Sequence, residues 1–251
     1  MTVPLPGDHG GDARMVAVAL GLDPSEVLDL SMSLNPFAPD PTPLIERHLS
    51  AGVLGRYPDG ADLATATTAL AGALGVDAGR ILVTNGGAEA IALVAGELGR
   101  GRVDQPDFSL YARHLGSSDE AGPRFRSDPH NPTGRLAGPS ERAEVWDEAF
   151  YPLATGRWRG DGREGSIVLG SLTKVLACPG LRIGYVVAPR DGGDALGVPD
   201  LRDRLLARQP AWAVGPLALA AMPDLLDSCD LERWTAAIDD ARGGLVAVLH
   251  R

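Results

Sequence analysis

Short apolar segments that run into glycine-rich turns constrain the fold of this chain most. Ile81-Leu82-Val83 is followed by Asn85-Gly86-Gly87, and Ile167-Val168-Leu169 is followed by Gly170-Ser171. Helix-forming sequence follows these turns, and Leu181 to Ala188 predicts a further strand. Strand, turn and helix in alternation indicate a mainly parallel α/β sheet.

Composition excludes several classes of protein. The 251 residues are 44% hydrophobic and 22% charged, which suits one large globular domain or two small ones. The net charge of −10 provides no broad positive surface for nucleic acid or anionic lipid. Apolar runs fall far short of the roughly 20 residues of a membrane span, and no signal peptide follows Met1. Two cysteines, Cys178 and Cys229, suit a reducing cytoplasm and lack the spacing of a metal site.

Three regions are predicted along the chain. Residues 1–30 form an N-terminal arm with a helix from Asp12 to about Leu20, residues 31–195 carry the strands, and residues 196–251 are helical. The polar, glycine- and proline-rich stretch from Gly116 to Pro132 predicts a loop where a doubly wound sheet would normally have more strands. Further helices are predicted near Pro139 to Ala143, Leu201 to Ala207, Val214 to Leu226 and Leu231 to Leu249.

The segment Ser171-Leu172-Thr173-Lys174 is the most informative for chemistry. Its two hydroxyls could donate to a phosphate, and Arg182, a short distance further on, could bind the same phosphate with two hydrogen bonds. A lysine held beside a phosphorylated aldehyde forms a Schiff base once its surroundings let it lose a proton. Pyridoxal 5′-phosphate is the cofactor that combines an aldehyde with a phosphate.

Three other segments supply what this cofactor needs. Asp147, in Asp-Glu-Ala-Phe, offers a carboxylate to the pyridinium nitrogen, a charge-assisted contact of roughly 1.5–3 kcal/mol. Asn131, in Asn-Pro-Thr-Gly, can present an amide to the phenolic oxygen of the ring. The Asn85-Gly86-Gly87 turn offers backbone N–H groups at a helix N-terminus for the phosphate. Each segment alone is usually just a turn or a common tripeptide, so their joint order favours the cofactor interpretation.

That order resembles the fold type I pyridoxal-phosphate enzymes of the class I/II aminotransferase group, especially the branch of threonine-phosphate decarboxylase and histidinol-phosphate aminotransferase. The resemblance runs from about His9 to Leu219 and implies an α/β fold, a three-layer, mainly parallel sheet of the aspartate aminotransferase type. Within the branch, the decarboxylase is the closer match. The segments that resemble it are His9-Gly10-Gly11, Ser33-Leu34-Asn35-Pro36, Arg56-Tyr57-Pro58-Asp59, Asp147-Glu148-Ala149-Phe150, Ser171-Leu172-Thr173-Lys174 and Gln209-Pro210-Ala211-Trp212-Ala213-Val214.

The resemblance also implies roles for individual residues. Lys174 would form the Schiff base and later move protons, Asp147 would bind the pyridine nitrogen, Asn131 the phenolic oxygen, and Tyr111 would stack on the ring. The phosphate would be held by the amides of Gly87 and Ala88 and by Ser171, Thr173 and Arg182. Tyr57 would reach the phosphate of a neighbouring subunit, which implies a homodimer with shared active sites, and His9 and Asn35 would contact the substrate.

The chain departs from the family in length. Between Tyr111 and Asn131, and again between Asn131 and Asp147, it is too short for the strand and helices that relatives would place there. It stops at Arg251, inside the helix that leads to the small C-terminal domain, so a reduced or missing small domain is expected. No arginine after Arg208 matches the residue that binds the substrate carboxylate in the family.

Four functions stay open at this stage. The first is a decarboxylase of threonine phosphate, which would make an aminopropanol phosphate for the cobalamin side chain. The second is an aminotransferase of the histidinol-phosphate type or of a specialised pathway. The third is a binding protein that keeps the fold without turnover, and the fourth is an enzyme whose reduced small domain admits a bulkier substrate.

Overall fold

A computed structural model describes residues 10–159 and 163–249, and the chain divides into two units, Met1–Leu34 and Asn35–Arg251. In the first unit, helix α1 spans Ala13–Leu20 and ends where Gly21 adopts the left-handed conformation, as the sequence predicts for Leu20. A short 3₁₀ turn follows at Pro24–Glu26. The predicted boundaries of the arm, large domain and helical segment remain predictions.

In the described part of the second unit, seven strands form one sheet in the order β1-β7-β6-β5-β4-β2-β3. Strand β7 runs antiparallel to β1 and β6, and the other neighbours pair in parallel, so the predicted mainly parallel sheet is confirmed. The strands are β1 Ile81–Asn85, β2 Arg100–Val103, β3 Ser117–Ser118, β4 Arg124–Ser127, β5 Val145–Asp147, β6 Ile167–Ser171 and β7 Ile183–Val187.

The helices of the second unit include the three predicted after residue 196. Helix α3 begins where the Asp59 side chain accepts from the Asp62 N–H, and it ends at the left-handed Gly75. The helices are α2 Thr42–Ser50, α3 Gly60–Leu74, α4 Gly86–Leu98, α5 Ser109–His114, α6 Tyr151–Thr155, α7 Leu172–Val175, α8 Leu201–Arg208, α9 Pro216–Asp227 and α10 Leu231–Leu249.

The sheet has a hydrophobic core on each face because neighbouring residues of a strand point to opposite sides. Leu82 of β1 packs with buried side chains of α4, α5 and α8. Ile81 and Val83 of the same strand pack with buried side chains of α3 and α9 on the other face. These three layers hold the strand ends, and therefore any site built on them, in fixed positions.

The prediction of a loop from Gly116 to Pro132 is wrong, because this stretch contains β3 and β4. Only residues 119–123 connect the two strands, which lie on opposite sides of β2. A Cβ on Gly122 would lie 3.1 Å from the Cα of Gly101, and a Cβ on Gly101 would lie 2.9 Å from the Pro123 carbonyl oxygen. Because Gly101 and Gly122 have no side chains, their backbones can approach closely. The chain therefore crosses β2 without the helix that normally connects parallel strands.

Residues 128–144 join β4 to β5 through turns and extended chain, so the helix predicted near Pro139 to Ala143 does not form. Trp146 of β5 points away from α4, and the Arg163 guanidinium lies 3.4 Å from the centroid of its ring. Around it lies a set of ion pairs that we call the ionic cover: Arg126, Asp128, Glu141, Glu148, Arg159 and Arg163. Trp146 is buried, and the Arg163 guanidinium of this set covers one face of its ring.

Candidate cofactor site

Topology brings the predicted site residues to one edge of the sheet. The parallel strands β4, β5 and β6 end there at Ser127, Asp147 and Ser171. Because β7 is antiparallel, it starts at this edge, and Arg182 directly precedes its first residue. The carboxyl ends of parallel strands are the usual place for ligands in α/β folds, so a site is expected here.

A concave backbone surface forms where β1 turns into α4. Gly86 has a φ of +77°, and a Cβ on it would lie 2.4 Å from an Arg182 guanidinium nitrogen. A Cβ on Gly184 would lie 2.3 Å from the carbonyl carbon of Gly86, so β7 also approaches this turn closely. Asn85 caps α4 without a side-chain hydrogen bond, which leaves the first-turn N–H groups, including those of Gly87 and Ala88, without a side-chain acceptor. Such a helix start favours an anion.

Two hydroxyls and a guanidinium complete this surface. Ser171 and Thr173 are both buried, and the Thr173 hydroxyl has no hydrogen-bond partner within the described residues. Arg182 itself adopts a left-handed conformation, with φ at 55°, a strained state that is enriched at functional sites. Ser171 lies against the helix start, with its Cβ 3.3 Å from where a Cβ on Gly87 would be. Together with Arg182 beside Gly86 and the unpartnered Thr173 hydroxyl on the following helix, this set fits the phosphate of pyridoxal phosphate.

Lys174 lies in α7, next to these groups, with its Nζ 5.8 Å from the centroid of the Phe150 ring. Burial lowers the pKa of Lys174, the charge of Arg182 lowers it further, and the charge of Asp147 acts in the opposite direction. The chain has 23 lysine and arginine residues, and Lys174 is the only lysine among them. Because arginine stays protonated in proteins, Lys174 is the only side-chain amine that can form a Schiff base.

Tyr111 is buried among aromatic side chains, and its stacking on the cofactor ring remains a prediction. Its side chain is 1% exposed and packs against Phe108 and Phe125, with ring centroids 5.7 and 5.9 Å away. Its hydroxyl donates to Oδ2 of Asp147 at 2.9 Å. The Ala149 N–H donates to the other oxygen of the same carboxylate at 3.0 Å. Tyr111 therefore contacts Asp147, the residue that is predicted to bind the ring nitrogen of the cofactor.

Asn131 is exposed, and two residues that the sequence reasoning missed hold its backbone. The Asn131 N–H donates to Oγ of Ser127 at 2.8 Å, and Ser127 in turn donates its hydroxyl to Asp107. Asp107 also accepts from the Ser127 N–H. Polar residues at the end of β4 and after Pro106 were the only sequence signal for this link. The contact of Asn131 with the phenolic oxygen remains a prediction.

Asn35 is held against α7 by hydrogen bonds, and its contact with substrate remains a prediction. It is 3% exposed, its Nδ2 donates to the Val175 carbonyl at 3.0 Å, and its backbone N–H donates to the Lys174 carbonyl. Its side-chain oxygen accepts from the Phe37 N–H. Both ends of the carboxamide are therefore occupied by backbone.

Tyr57 and His9 are the other two predicted residues. Tyr57 is exposed and stacks on Trp212, with ring centroids 4.7 Å apart. Its predicted contact with a neighbouring subunit stays a prediction. His9 lies outside the described residues.

Comparison with known proteins bears on this site. The chain is 31% identical to threonine-phosphate decarboxylase of Salmonella typhimurium, over 85% of its own length and 68% of that protein's length. It is 28% identical to histidinol-phosphate aminotransferase 2 of Pseudomonas aeruginosa, over 90% of its own length and 71% of that protein's length. No protein-family model matches the chain.

A solved structure shows the same fold. Histidinol-phosphate aminotransferase of Sinorhizobium meliloti, in complex with pyridoxal-5′-phosphate, aligns with a TM-score of 0.64 and 18% identity, and the match covers 84% of this chain and 67% of that one. With its sheet, its open helix start and its single lysine, the chain belongs to the fold type I pyridoxal-phosphate-dependent enzymes, in the group of threonine-phosphate decarboxylase and histidinol-phosphate aminotransferase.

Proposed function

We propose that this chain uses pyridoxal phosphate to decarboxylate a small amino acid phosphate, as the name of its Salmonella relative describes. The observation that carries the proposal is the position of the only lysine beside a buried, unpartnered hydroxyl and an open helix start. We also propose that this reaction belongs to cobalamin biosynthesis, which the similarity to threonine-phosphate decarboxylase supports.

Each group at the sheet edge has a distinct task in this proposal. Bound pyridoxal phosphate supplies an aldehyde that captures amines and a ring that accepts an electron pair. Arg182, Thr173 and Ser171, with the amides that start α4, bind the phosphate and fix the ring above the sheet edge. Asp147 binds the ring nitrogen, and Asn131 donates its amide to the phenolic oxygen.

Lys174 acts as nucleophile and proton carrier. Because burial and Arg182 lower its pKa, a larger fraction of its amine is neutral at physiological pH than for an exposed lysine. A neutral Nζ can attack the aldehyde and can afterwards hold a proton for delivery.

An aminotransferase of the histidinol-phosphate type is the second candidate, because a relative of that name matches a larger share of the chain than the decarboxylase does. Incubation of the loaded protein with threonine phosphate separates the two reactions. Release of carbon dioxide without an amino acceptor supports the decarboxylase. A keto product that appears only when an amino acceptor is present supports the aminotransferase.

Borohydride labelling tests the cofactor assignment. We expect purified protein to take up pyridoxal phosphate with violet-region absorbance that borohydride removes, leaving the label on the Lys174 peptide. Lys174→Arg, which keeps the positive charge, is the matched control and should take no label. Protein that never takes up the aldehyde would contradict the whole proposal. Unchanged ligand binding in Lys174→Ala, with no turnover of any amino acid, would instead support a binding protein.

Assembly and location complete the proposal. We infer a homodimer in the cytoplasm in which Tyr57 of one subunit serves the site of the other, and the exposure of Tyr57 beside Trp212 supports this. Among the described helices, none combines the length and hydropathy that crossing a bilayer requires.

A substrate screen tests the remaining hypothesis, that a reduced small domain admits a bulkier substrate. If only small free amino acids react, this hypothesis fails.

A further inference from the structure

The Asp147 carboxylate is held by one donor on each oxygen. The Tyr111 hydroxyl donates to Oδ2 at 2.9 Å, and the Ala149 N–H donates to Oδ1 at 3.0 Å. Two donors from different elements, α5 and the turn after β5, fix the plane of the carboxylate. The remaining lone pair on each oxygen then lies at a fixed position in that plane, so the carboxylate can accept from an N–H partner without reorienting.

The groups around Asp147 shift the pKa of its carboxylate in opposite directions, and the hydrogen bond from Tyr111 is one of those that favour the ionised form. Burial raises the pKa of Asp147, and the negative charge of Asp107 raises it further, while the hydrogen bonds from Ala149 and Tyr111 and the charge of Lys174 lower it. Burial, followed by the charges of Asp147 and Asp107, raises the pKa of Tyr111 well above its ordinary value. The tyrosine therefore keeps its proton and remains a donor throughout the usual pH range.

We propose that Tyr111 is a positioning residue that keeps Asp147 ionised and aimed at the ring nitrogen of the cofactor. The inference rests on the proposed role of Asp147, which it deepens by naming the group that controls that carboxylate. It also accounts for a buried tyrosine hydroxyl at this edge of the sheet.

Tyr111→Phe removes the donor and keeps the ring in its apolar surroundings. Hydrogen bonds to charged groups are the stronger class, so we expect pyridoxal phosphate to bind roughly tenfold more weakly. Without the donor, the pKa of Asp147 rises further, so binding should weaken at a higher pH in the variant than in wild type as the solution is acidified.

A cofactor analogue isolates the effect on the ring nitrogen. We would titrate wild type and Tyr111→Phe with pyridoxal phosphate and with its 1-deaza analogue, in which carbon replaces that nitrogen. We expect the variant to lose affinity for the natural cofactor and not for the analogue. Tyr151→Phe is the matched control, because Tyr151 is also buried and its ring lies under Arg159 instead.

Each result has one interpretation. Equal losses for both ligands would show a merely structural role and would overturn the inference, even if the variant folds less well. Unchanged affinity of the variant for pyridoxal phosphate would overturn it as well, while leaving the proposed function intact. Wild-type protein that fails to bind pyridoxal phosphate at Lys174 would overturn the proposed function and this inference together.

Discussion

At the scale of single residues, the choice between lysine and arginine decides the chemistry. A guanidinium can bind a phosphate with two hydrogen bonds but cannot become a neutral nucleophile, whereas an amine can. Arg182 and Lys174 lie at the same edge of the sheet, and the proposed site divides these two tasks between them. The positive charge of Arg182 also lowers the pKa of Lys174, so in that proposal the residue that binds the phosphate also favours the neutral form of the amine.

The first residue-scale prediction concerns that coupling. Arg182→Gln removes a positive neighbour and should raise the pKa of Lys174, whereas Asp147→Asn removes a negative one and should lower it further. Labelling cofactor-free protein with an amine-reactive reagent over a pH series measures both shifts at the single lysine. Arg233→Gln on the exposed side of α10 should leave the profile unchanged. Shifts of the same sign in both site variants would contradict the electrostatic explanation.

Asn35 allows a second residue-scale prediction. Asn35→Ala removes the hydrogen bond to the Val175 carbonyl and leaves that buried acceptor unpaired, which typically costs about 1–3 kcal/mol of unfolding free energy. Chemical denaturation with the cofactor absent measures this loss. If the variant were as stable as wild type and differed only in its KM for substrate, Asn35 would be a substrate contact after all.

At the scale of elements, close approaches between backbones hold the site together. Strand β7 reaches the start of α4 only because Gly184 has no side chain, and Tyr185 lies across Gly170 of β6 for the same reason. The sheet edge is therefore specified by glycines inside strands as much as by the polar residues that face the cofactor.

The variant Gly184→Ala tests whether the close approach of β7 to the start of α4 requires a glycine. Its Cβ would lie 2.3 Å from the Gly86 carbonyl carbon, so the strand or the turn must move, with an expected destabilisation of about 1–3 kcal/mol. Gly96→Ala, in the last turn of α4 with open space around it, should instead stabilise the protein by up to about 0.5–1 kcal/mol. Thermal unfolding of the two variants gives the comparison. Equal stability of both would show that the approach of β7 is not limited by this contact.

The elements also show what could be predicted from the sequence. Lys174, Arg182 and Asp147 were predictable because each follows or precedes a strand and belongs to a recognisable local motif. The crossing at Gly101 and Gly122 was not, because its cause is a contact between backbones of different segments. Local composition there indicated only a loop.

The positions of Tyr111 and Asn35 were not predictable from the sequence for a related reason. Motif position placed both near the cofactor, but hydrogen bonds to Asp147 and to the Val175 carbonyl depend on how α5 and α7 pack. No sequence pattern indicated the ionic cover, because its members are separated along the chain and form ion pairs only in the folded structure.

At the scale of the whole molecule, the proposed dimer can be tested by mixing variants. If Tyr57 serves the site that holds the partner's lysine, Lys174→Ala and Tyr57→Phe subunits should complement each other. An equal mixture, refolded together, should recover about a quarter of the intact sites, since a mixed pair has one site with both residues. Measured activity and borohydride label should rise together. No recovery despite mixed dimers would contradict the sharing of sites.

The ionic cover has a consequence for the temperature dependence of folding. Where charged groups rather than a crossover helix lie over Trp146, less apolar surface leaves water when the chain folds, and apolar surface is what gives unfolding its positive heat capacity change. We expect a heat capacity change per residue at or below the usual 12–15 cal/mol/K, measurable by calorimetry. A smaller value flattens the stability curve, so the fold would retain more of its stability on cooling and warming than a helix-covered sheet of equal size.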